Sequence, residues 1–516
     1  MTKTAYYITT PIYYVNDKPH LGHAYTTIAC DVLARFKRLD GYDVKFLTGT
    51  DEHGQKVMQS AAAQGLGPQE WTDRNSAAFR DLKNPLNLTF DQFIRTTDPA
   101  HKAAVQAIWR KMSDNGDIYL GKYAGWYATR DEAFYGEDEI TTGPDGKKYG
   151  PHNVPVEWVE EESYFFKLSA YQDKLIDYFE KHPDFVQPSY RKNEVVSFIK
   201  SGLRDLSISR NTFDWGVKVP GDEKHVVYVW VDALTNYISA LGYPDTNAEN
   251  YKKFWPANVH MVGKDILRFH AVYWPAFLMS AGLPIPQTVF AHGWWMVEGQ
   301  KMSKSLGNVL SPHDLASRYG IDQLRYALLR EVTFGQDGDF SHASAATRIN
   351  AELANNIGNL SQRTLSQIAK NCEGRVPMPG LLEDADKELL HICGQELLVT
   401  IRAEMEKAQF SKVIEEIVKA GHAANLYIDT QAPWTLKKTD MARMNTVLYV
   451  LAEAIRNIAI LLQPFCPGAA AKMLDQLSID PEARQFDNVG SLHALAAGTA
   501  LPTPTGVFPR IVEAAA

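Results

Sequence analysis

Ala5–Leu39 reads AYYITTPIYYVNDKPHLGHAYTTIACDVLARFKRL. Ala5–Ile8 is an apolar run short enough to be a buried strand. A polar loop broken by proline, Thr9–Pro19, follows it. Beyond that loop Leu21, Ile28, Val32, Leu33 and Phe36 recur on one side of a helix. His20, Gly22 and His23 stand at the strand-to-helix junction. A helix's first turn has unpaired N–H groups and a partial positive charge, so it attracts phosphate. His20 and His23, three apart, share a face there, and Gly22 lets a ligand approach the backbone. Two surface histidines at a helix start would look the same in isolation, so the rest of the chain decides.

The chain has 516 residues, too many for one core, and two to four domains are expected. It is 45% hydrophobic and 22% charged, an ordinary globular composition without a low-complexity block. No uninterrupted apolar run reaches membrane-spanning length, and MTKTAYYITT lacks the long apolar core of a signal peptide. Four cysteines, Cys30, Cys372, Cys393 and Cys466, form no CxxC pair. A reduced cytoplasmic protein with no membrane partner is the expectation. The net charge of −8 argues against a non-specific nucleic-acid coat and leaves room for a local basic groove.

Val44–Leu47 reads as a second strand running into TGTDEHGQK. Residues at the C-terminal ends of parallel strands line the ligand crevice of an open α/β sheet. Asp51 is therefore either a partner for a cationic group such as an ammonium, or a cap on the helix that follows. From about Gly116 to Lys224, short aromatic β-like pieces alternate with Gly/Pro/Asp turns, as in an insertion between two halves of a sheet domain. Its carboxylates, Asp131, Glu132, Glu137, Asp138 and Glu139, read as a solvated loop, since no Cys or His spacing accompanies them.

The α/β pattern resumes with a predicted strand at Val226–Trp230, then a helix carrying Trp230, Ala233, Leu234 and Tyr237 on one face. A strand at Val259–Val262 leads to Gly263, Lys264 and Asp265, and then to Ile266, His270 and Trp274 four apart. Single stripes of this kind are usually core. Two aromatic stripes, each beginning at a strand's C-terminal end, suggest a pocket for an apolar ligand. Lys301–Ser305 then reads KMSKS, with Gly299 and Gly307 on either side, as in a mobile loop. Lys301 and Lys304, with Ser303 and Ser305, make a phosphate clamp.

HLGH at His20–His23 together with KMSKS resembles the two signature motifs of class I aminoacyl-tRNA synthetases. FLTGTDEHG, YVWVDALTNY, VGKDILRFHAVYWPA, HGWWMVEGQKMSKS, NLYIDTQAPW and a C-terminal VFPRI resemble the methionyl-tRNA synthetases in particular, over essentially the whole chain. The resemblance implies an α/β fold: a Rossmann-like parallel-sheet catalytic domain with an inserted connective domain, then an all-α anticodon-binding bundle. Its boundaries would be 1–115 and 226–290 for the catalytic halves and 116–225 for the insertion. A KMSKS and stem-contact segment would span 291–345, and the bundle with its tail 346–516.

The implied activity is ATP-dependent ligation of L-methionine to tRNA(Met) through methionyl-adenylate, with ATP accompanied by Mg²⁺. His20 and His23 would stabilise charge at the α-phosphate, and Lys304, helped by Lys301 and Ser303, would hold pyrophosphate. Gly22 would lie against the phosphates, and Gly263 and Asp265 would meet the ribose. Methionine would sit among Ile12, Tyr14, Trp230, Ala233, Leu234, Tyr237, Ile266, His270 and Trp274, with its ammonium on Asp51. A thioether gains from aromatic contact rather than charge, which suits such a pocket. Relatives commonly carry a cysteine-liganded zinc knuckle in the insertion. This insertion has no cysteine, so no structural zinc is expected.

From about Ala346 the chain reads as helices separated by turns at Pro377–Gly380 and Pro433, consistent with an antiparallel bundle. By resemblance, Asn359, Arg363 and Trp434 would read the CAU anticodon, with Trp434 stacking on an unpaired base. The tail after Leu501 is shorter than the appended dimerising domain of some relatives, so a monomer is expected. A cysteinyl-type enzyme would show zinc ligands, and leucyl, isoleucyl or valyl types a longer insertion. A silent RNA-binding module would not need His20, His23 and Lys304, and a small nucleotidyltransferase would not need the bundle.

Overall fold

The structure, a computed structural model, describes residues 3–131, 133–302 and 307–512. A seven-stranded sheet lies at its centre. Val186–Gln187, Val289–His292, Val259–Gly263, Ala5–Thr9 and Asp43–Asp51 follow one another across it. Tyr13–Tyr14 and Gln92–Arg95 both pair with Asp43–Asp51, and every pairing in the sheet is parallel. Tyr7, Ile8, Phe46, Leu47, Met261 and Val262 are sealed from solvent, as strands covered on both faces require.

The helix Leu21–Leu39 packs along this sheet on the expected stripe, with Leu21, Ile28, Val32, Leu33 and Phe36 buried. It ends at Asp40, and Gly41 turns the chain with φ +85°.

The inserted segment is built on a long antiparallel hairpin, Ile118–Ala128 against Glu157–Phe166. It also holds two helices that its aromatic pattern does not announce, Gln172–Lys181 and Ser189–Lys200. Between them Val186–Gln187 returns to the edge of the parallel sheet. The insertion is thus tied to the parallel sheet.

One sequence expectation is corrected here. The strand expected at Val226–Trp230 is Asp222–Val227, and it belongs to a separate antiparallel sheet with Ser209–Arg210 and Lys218–Val219. The helix begins at Val229, so Trp230 is helical. A short apolar run rich in valine and aromatics cannot by itself separate a strand from a buried helical turn.

After the sheet domain, Trp295–Val297 pairs with Gln300–Lys301 and Gly338–Phe340. The helices Pro312–Tyr319 and Ile321–Arg330 lie between these strands in the chain. The remainder is helical, built around Asn359–Asn371, Phe410–Gln431, Met441–Leu462 and Pro467–Gln476. Met441–Leu462 is long and apolar enough to cross a membrane, but 89% of its most apolar window is buried inside the molecule. It is the central helix of the bundle.

Candidate active site

His20 is the N-cap of the helix Leu21–Leu39, and its own backbone is extended. Its Nδ1 accepts a hydrogen bond from the Gly22 N–H at 3.1 Å, and the His23 Nδ1 accepts from the His20 N–H at 3.1 Å. Two of the helix's first-turn donors are therefore satisfied by imidazole rather than by the usual Ser, Thr or Asp. Because each Nδ1 is an acceptor, each neutral ring carries its proton on Nε2. The two rings lie 3.8 Å apart between centroids. Burial, and then the neighbouring His20, hold the His23 imidazole well below its usual pKa, so it is neutral at pH 7.

Gly22 allows this arrangement. A Cβ there would stand 3.0 Å from His20 Cε1 and 3.2 Å from Nδ1, so the ring could not fold over the helix end unchanged. His23 is gripped edge-on by Tyr13 at 4.9 Å and Phe79 at 5.0 Å, while those two rings stack on each other. Phe79 comes from the helix Pro68–Arg80, and no local signal in the sequence marks it.

The neighbouring strand ends supply a second group. Gly263 pairs with His292, whose Nε2 lies 2.8 Å from Thr26 Oγ1 on the HLGH helix. The Trp294 indole N–H donates to Asp265 Oδ1 at 3.0 Å, and a Cβ on Gly263 would fall 2.5 Å from that same oxygen. Lys264 and Lys301 both lie over the Trp294 ring, at 4.4 and 5.1 Å. Gly263, Asp265 and Lys301 are thus brought together around Trp294, a residue sequence reasoning did not single out although it lies in HGWW. Ser303, Lys304 and Ser305 lie outside the described residues.

The two aromatic stripes converge. Leu234, Tyr237 and Trp274 are buried in one apolar cluster, against which Ile12, Tyr14, Trp230 and Ile266 pack. Ala233 is buried on the same helix. The Ile266–Trp274 segment is not one α-helix. It runs through a 3₁₀ turn, Lys264–Ile266, and a π turn, Phe269–Tyr273, before the α-helix Trp274–Ala281. The stripe holds nonetheless, since His270 Nδ1–H donates to the Ile266 carbonyl at 2.9 Å. That fixes the tautomer, and the His270 Nε2 accepts from the Tyr237 hydroxyl at 2.7 Å. Burial lowers the His270 pKa to about 4. Phe269, also not singled out, stacks on Trp230 at 3.7 Å with the rings nearly parallel.

Asp51 is the last residue of its strand, is buried, and pairs with Tyr14. The helix after it is Gln55–Ala63, and its N-cap is Gly54 with no side-chain hydrogen bond. The capping alternative for Asp51 therefore fails. The next residue, Glu52, is fully buried and takes both forks of Arg95 at 2.7 and 2.8 Å, which anchors the end of the strand.

In the bundle, Asn359 and Arg363 lie one turn apart on Asn359–Asn371, with Asn359 exposed. The Arg363 guanidinium stands 5.6 Å over the Trp434 ring, which is 42% exposed at the start of the helix Pro433–Thr439. The three expected anticodon residues thus share one surface.

Residues 6–365 match the family model described as tRNA synthetases class I (M), and residues 376–516 match the anticodon binding domain of methionyl tRNA ligase. The methionine–tRNA ligase of Brucella suis is 59% identical over 514 residues, covering 100% of this chain and 99% of that protein. That of Rickettsia felis is 56% identical, covering 98% of this chain and 99% of that protein. The Mycobacterium tuberculosis methionyl-tRNA synthetase in complex with methionyl-adenylate superposes with a TM-score of 0.96 at 53% identity, covering 98% of this chain and 100% of that one. With its HLGH helix at the ends of a parallel sheet and a helical domain behind it, the chain belongs to the methionyl-tRNA synthetases of class I.

Proposed function

We propose that this chain joins L-methionine to tRNA(Met) in two steps with its residues in the following roles. The overall reaction is that of the family: ATP and methionine give methionyl-adenylate and pyrophosphate, and tRNA then takes the methionyl group with release of AMP.

The observation that carries the residue assignment is the pair of backbone N–H bonds into His20 Nδ1 and His23 Nδ1. They place the proton of each neutral ring on Nε2, as a donor group at a helix N-terminus. Such donors stabilise negative charge that grows on the α-phosphate oxygens as the methionine carboxylate attacks. A neutral ring also keeps its proton throughout, so no protein nucleophile or base is needed. Positioning and charge stabilisation do the work.

Lys301 beside Trp294 and Asp265, with Lys304 and Ser303, holds the leaving pyrophosphate, and Gly263 and Asp265 take the ribose. Mg²⁺ accompanies ATP as its counter-ion. The thioether enters the aromatic pocket closed by Tyr237, His270 and Trp274, with Asp51 for the ammonium. A pocket of this kind separates methionine from leucine or isoleucine by shape, at about 1–3 kcal/mol per methylene. Asn359, Arg363 and Trp434 receive the anticodon, and the protein acts as a cytoplasmic monomer without a structural zinc.

ATP–pyrophosphate exchange against all twenty amino acids tests the reading, with His23→Ala and Lys304→Ala beside the unmodified chain. Exchange with methionine alone, nearly lost in both variants, is expected. Exchange supported by another amino acid overturns the pocket assignment. Full exchange in His23→Ala overturns the role of the imidazole pair.

A further inference from the structure

Behind the methionine pocket lies a buried carboxylate that none of the roles above uses. Asp232 is completely sealed from solvent on the helix Val229–Ser239, between the pocket residues Trp230 and Ala233. Its Oδ2 lies 2.6 Å from His53 Nδ1, and its Oδ1 lies 2.8 Å from His101 Nε2. His101 in turn reaches the Ser239 hydroxyl with Nδ1 at 2.8 Å. Burial works to raise the Asp232 pKa, but His53 and His101 outweigh it and hold the carboxyl at about 2. An ionised carboxylate can only accept, so both imidazole nitrogens facing it are donors.

These partners come from different elements. His53 follows the strand Asp43–Asp51 and is two residues from Asp51. His101 lies on the helix Pro99–Asp114, which packs against the helix Val229–Ser239. The Asp232 carboxylate therefore ties the segment carrying Asp51 to the helix carrying Trp230, Ala233, Leu234 and Tyr237. His53 also packs edge-on against Trp215 at 5.5 Å, whose indole N–H donates to the Glu52 carbonyl at 2.6 Å.

We infer that Asp232, through His53 and His101, is a positioning residue that sets the distance between the ammonium-binding and thioether-binding walls of the amino-acid pocket. A buried charge is retained here at a desolvation cost that an apolar residue would avoid. What the charge adds is direction, since a carboxylate with two acceptor oxygens fixes two imidazoles at once. Misplacing one wall relative to the other weakens the grip on methionine and leaves the ATP subsite, built on the HLGH helix and Gly263–Trp294, untouched. The inference rests on the reading of this pocket as the methionine site.

The test is steady-state ATP–pyrophosphate exchange, with KM measured separately for methionine and for ATP, in Asp232→Asn, His101→Leu and His101→Gln. The unmodified chain's exchange with methionine checks the pocket reading by itself, and the variants' KM ratio checks this inference. Asp232→Asn keeps the shape but turns one acceptor into a donor. His101→Leu removes a donor, and His101→Gln places an amide N–H near the same position. Asp232→Asn and His101→Leu are expected to raise the methionine KM about tenfold or more, with the ATP KM within about twofold. His101→Gln restores most of the affinity. Equal rises in both constants, no rise in folded protein, or loss of the fold in all three variants overturns the inference. Should Asp232→Asn alone fail to fold, the contrast between His101→Leu and His101→Gln decides.

Discussion

Arg325 Nη2 lies 2.7 Å from Asp31 Oδ2, and neither side chain is reached by solvent. Asp31 sits in the middle of the HLGH helix. Arg325, from the helix Ile321–Arg330, also donates to the carbonyls of Leu86, Pro464 and Phe465. One guanidinium thus joins the HLGH helix to the entrance of the last bundle helix. The far end of the same helix is held by Lys37 on Glu406 and by Arg402 on Asp40. The helix that presents His20 and His23 is therefore braced by the helical domain at its middle and at its C-terminus.

Removing Arg325 takes from the sealed Asp31 one of its two guanidinium partners, the other being Arg35 at 2.7 Å, and takes a donor from the carbonyls of Leu86, Pro464 and Phe465. Arg325→Met is expected to lower stability by about 3–5 kcal/mol, and a double variant with Asp31→Leu by clearly less than the sum of the two singles. Urea unfolding of the three proteins measures both numbers. A loss under about 1 kcal/mol in Arg325→Met contradicts the role given to the pair.

The same pair has an acid signature. Burial would raise the Asp31 carboxyl, but Arg325 and Arg35 outweigh it and hold it below the usual carboxylate range. Its contribution to stability is then complete above the unfolded-state pKa of about 3.9 and is lost as pH falls through the lower folded value. Unfolding followed between pH 7 and pH 2 is expected to show a weaker acid dependence in Asp31→Asn than in the unmodified protein.

Gly22→Ala tests the folded-over imidazole. The new Cβ pushes the His20 ring off the helix end, so the expected loss is in kcat of exchange, about 10²-fold for a misplaced donor. Circular dichroism and melting temperature should change little, because alanine favours the helix. Unchanged kcat would show that His20 does not act from this position.

In the amino-acid pocket, Tyr237→Phe deletes the hydroxyl bonded to His270 Nε2 and leaves that buried nitrogen without its partner, at about 1–3 kcal/mol. The expected result is a higher methionine KM with little change for ATP. Because burial lowers the His270 pKa to about 4, this imidazole should put no break in the methionine KM near neutral pH. On the acid side the KM should rise as the solution approaches that value, where protonation places a charge among apolar rings. A break near pH 6.5 would mean the imidazole is not desolvated as described.

Trp434→Ala is expected to raise the KM for tRNA in aminoacylation, by the roughly 1–3 kcal/mol typical of one base-stacking contact. ATP–pyrophosphate exchange, which needs no tRNA, should be unaffected. A fall in exchange of similar size would assign Trp434 to the fold rather than to recognition.

Much of this was legible in one dimension. The Leu21–Phe36 stripe, the strands at Ala5 and Val259, and the Ile266, His270, Trp274 repeat are periodic, and periodicity depends only on the geometry of a helix or strand. The strand expected at Val226–Trp230 was carried too far along the chain, since it ends at Val227, because a short apolar run satisfies both geometries. The alternative cap role of Asp51 was excluded only by the position of Gly54. Lys301 could be placed beside Trp294, whereas Ser303, Lys304 and Ser305 fall outside the described residues.

By itself the sequence determined most helices and strands of the sheet and the bundle and the faces they bury, but not the insertion's helices Gln172–Lys181 and Ser189–Lys200. Those properties arise from residues within a few positions of one another. Only the tertiary structure decided that Phe79 grips His23, that Trp294 gathers Gly263, Asp265 and Lys301, and that Asp232 binds His53 and His101. It likewise decided that Asp31 meets Arg325. Apart from Lys301 over Trp294, each of these contacts joins residues distant in the chain, and none leaves a periodic trace. They exist because close packing of several elements leaves a buried polar atom only one place to find its partner.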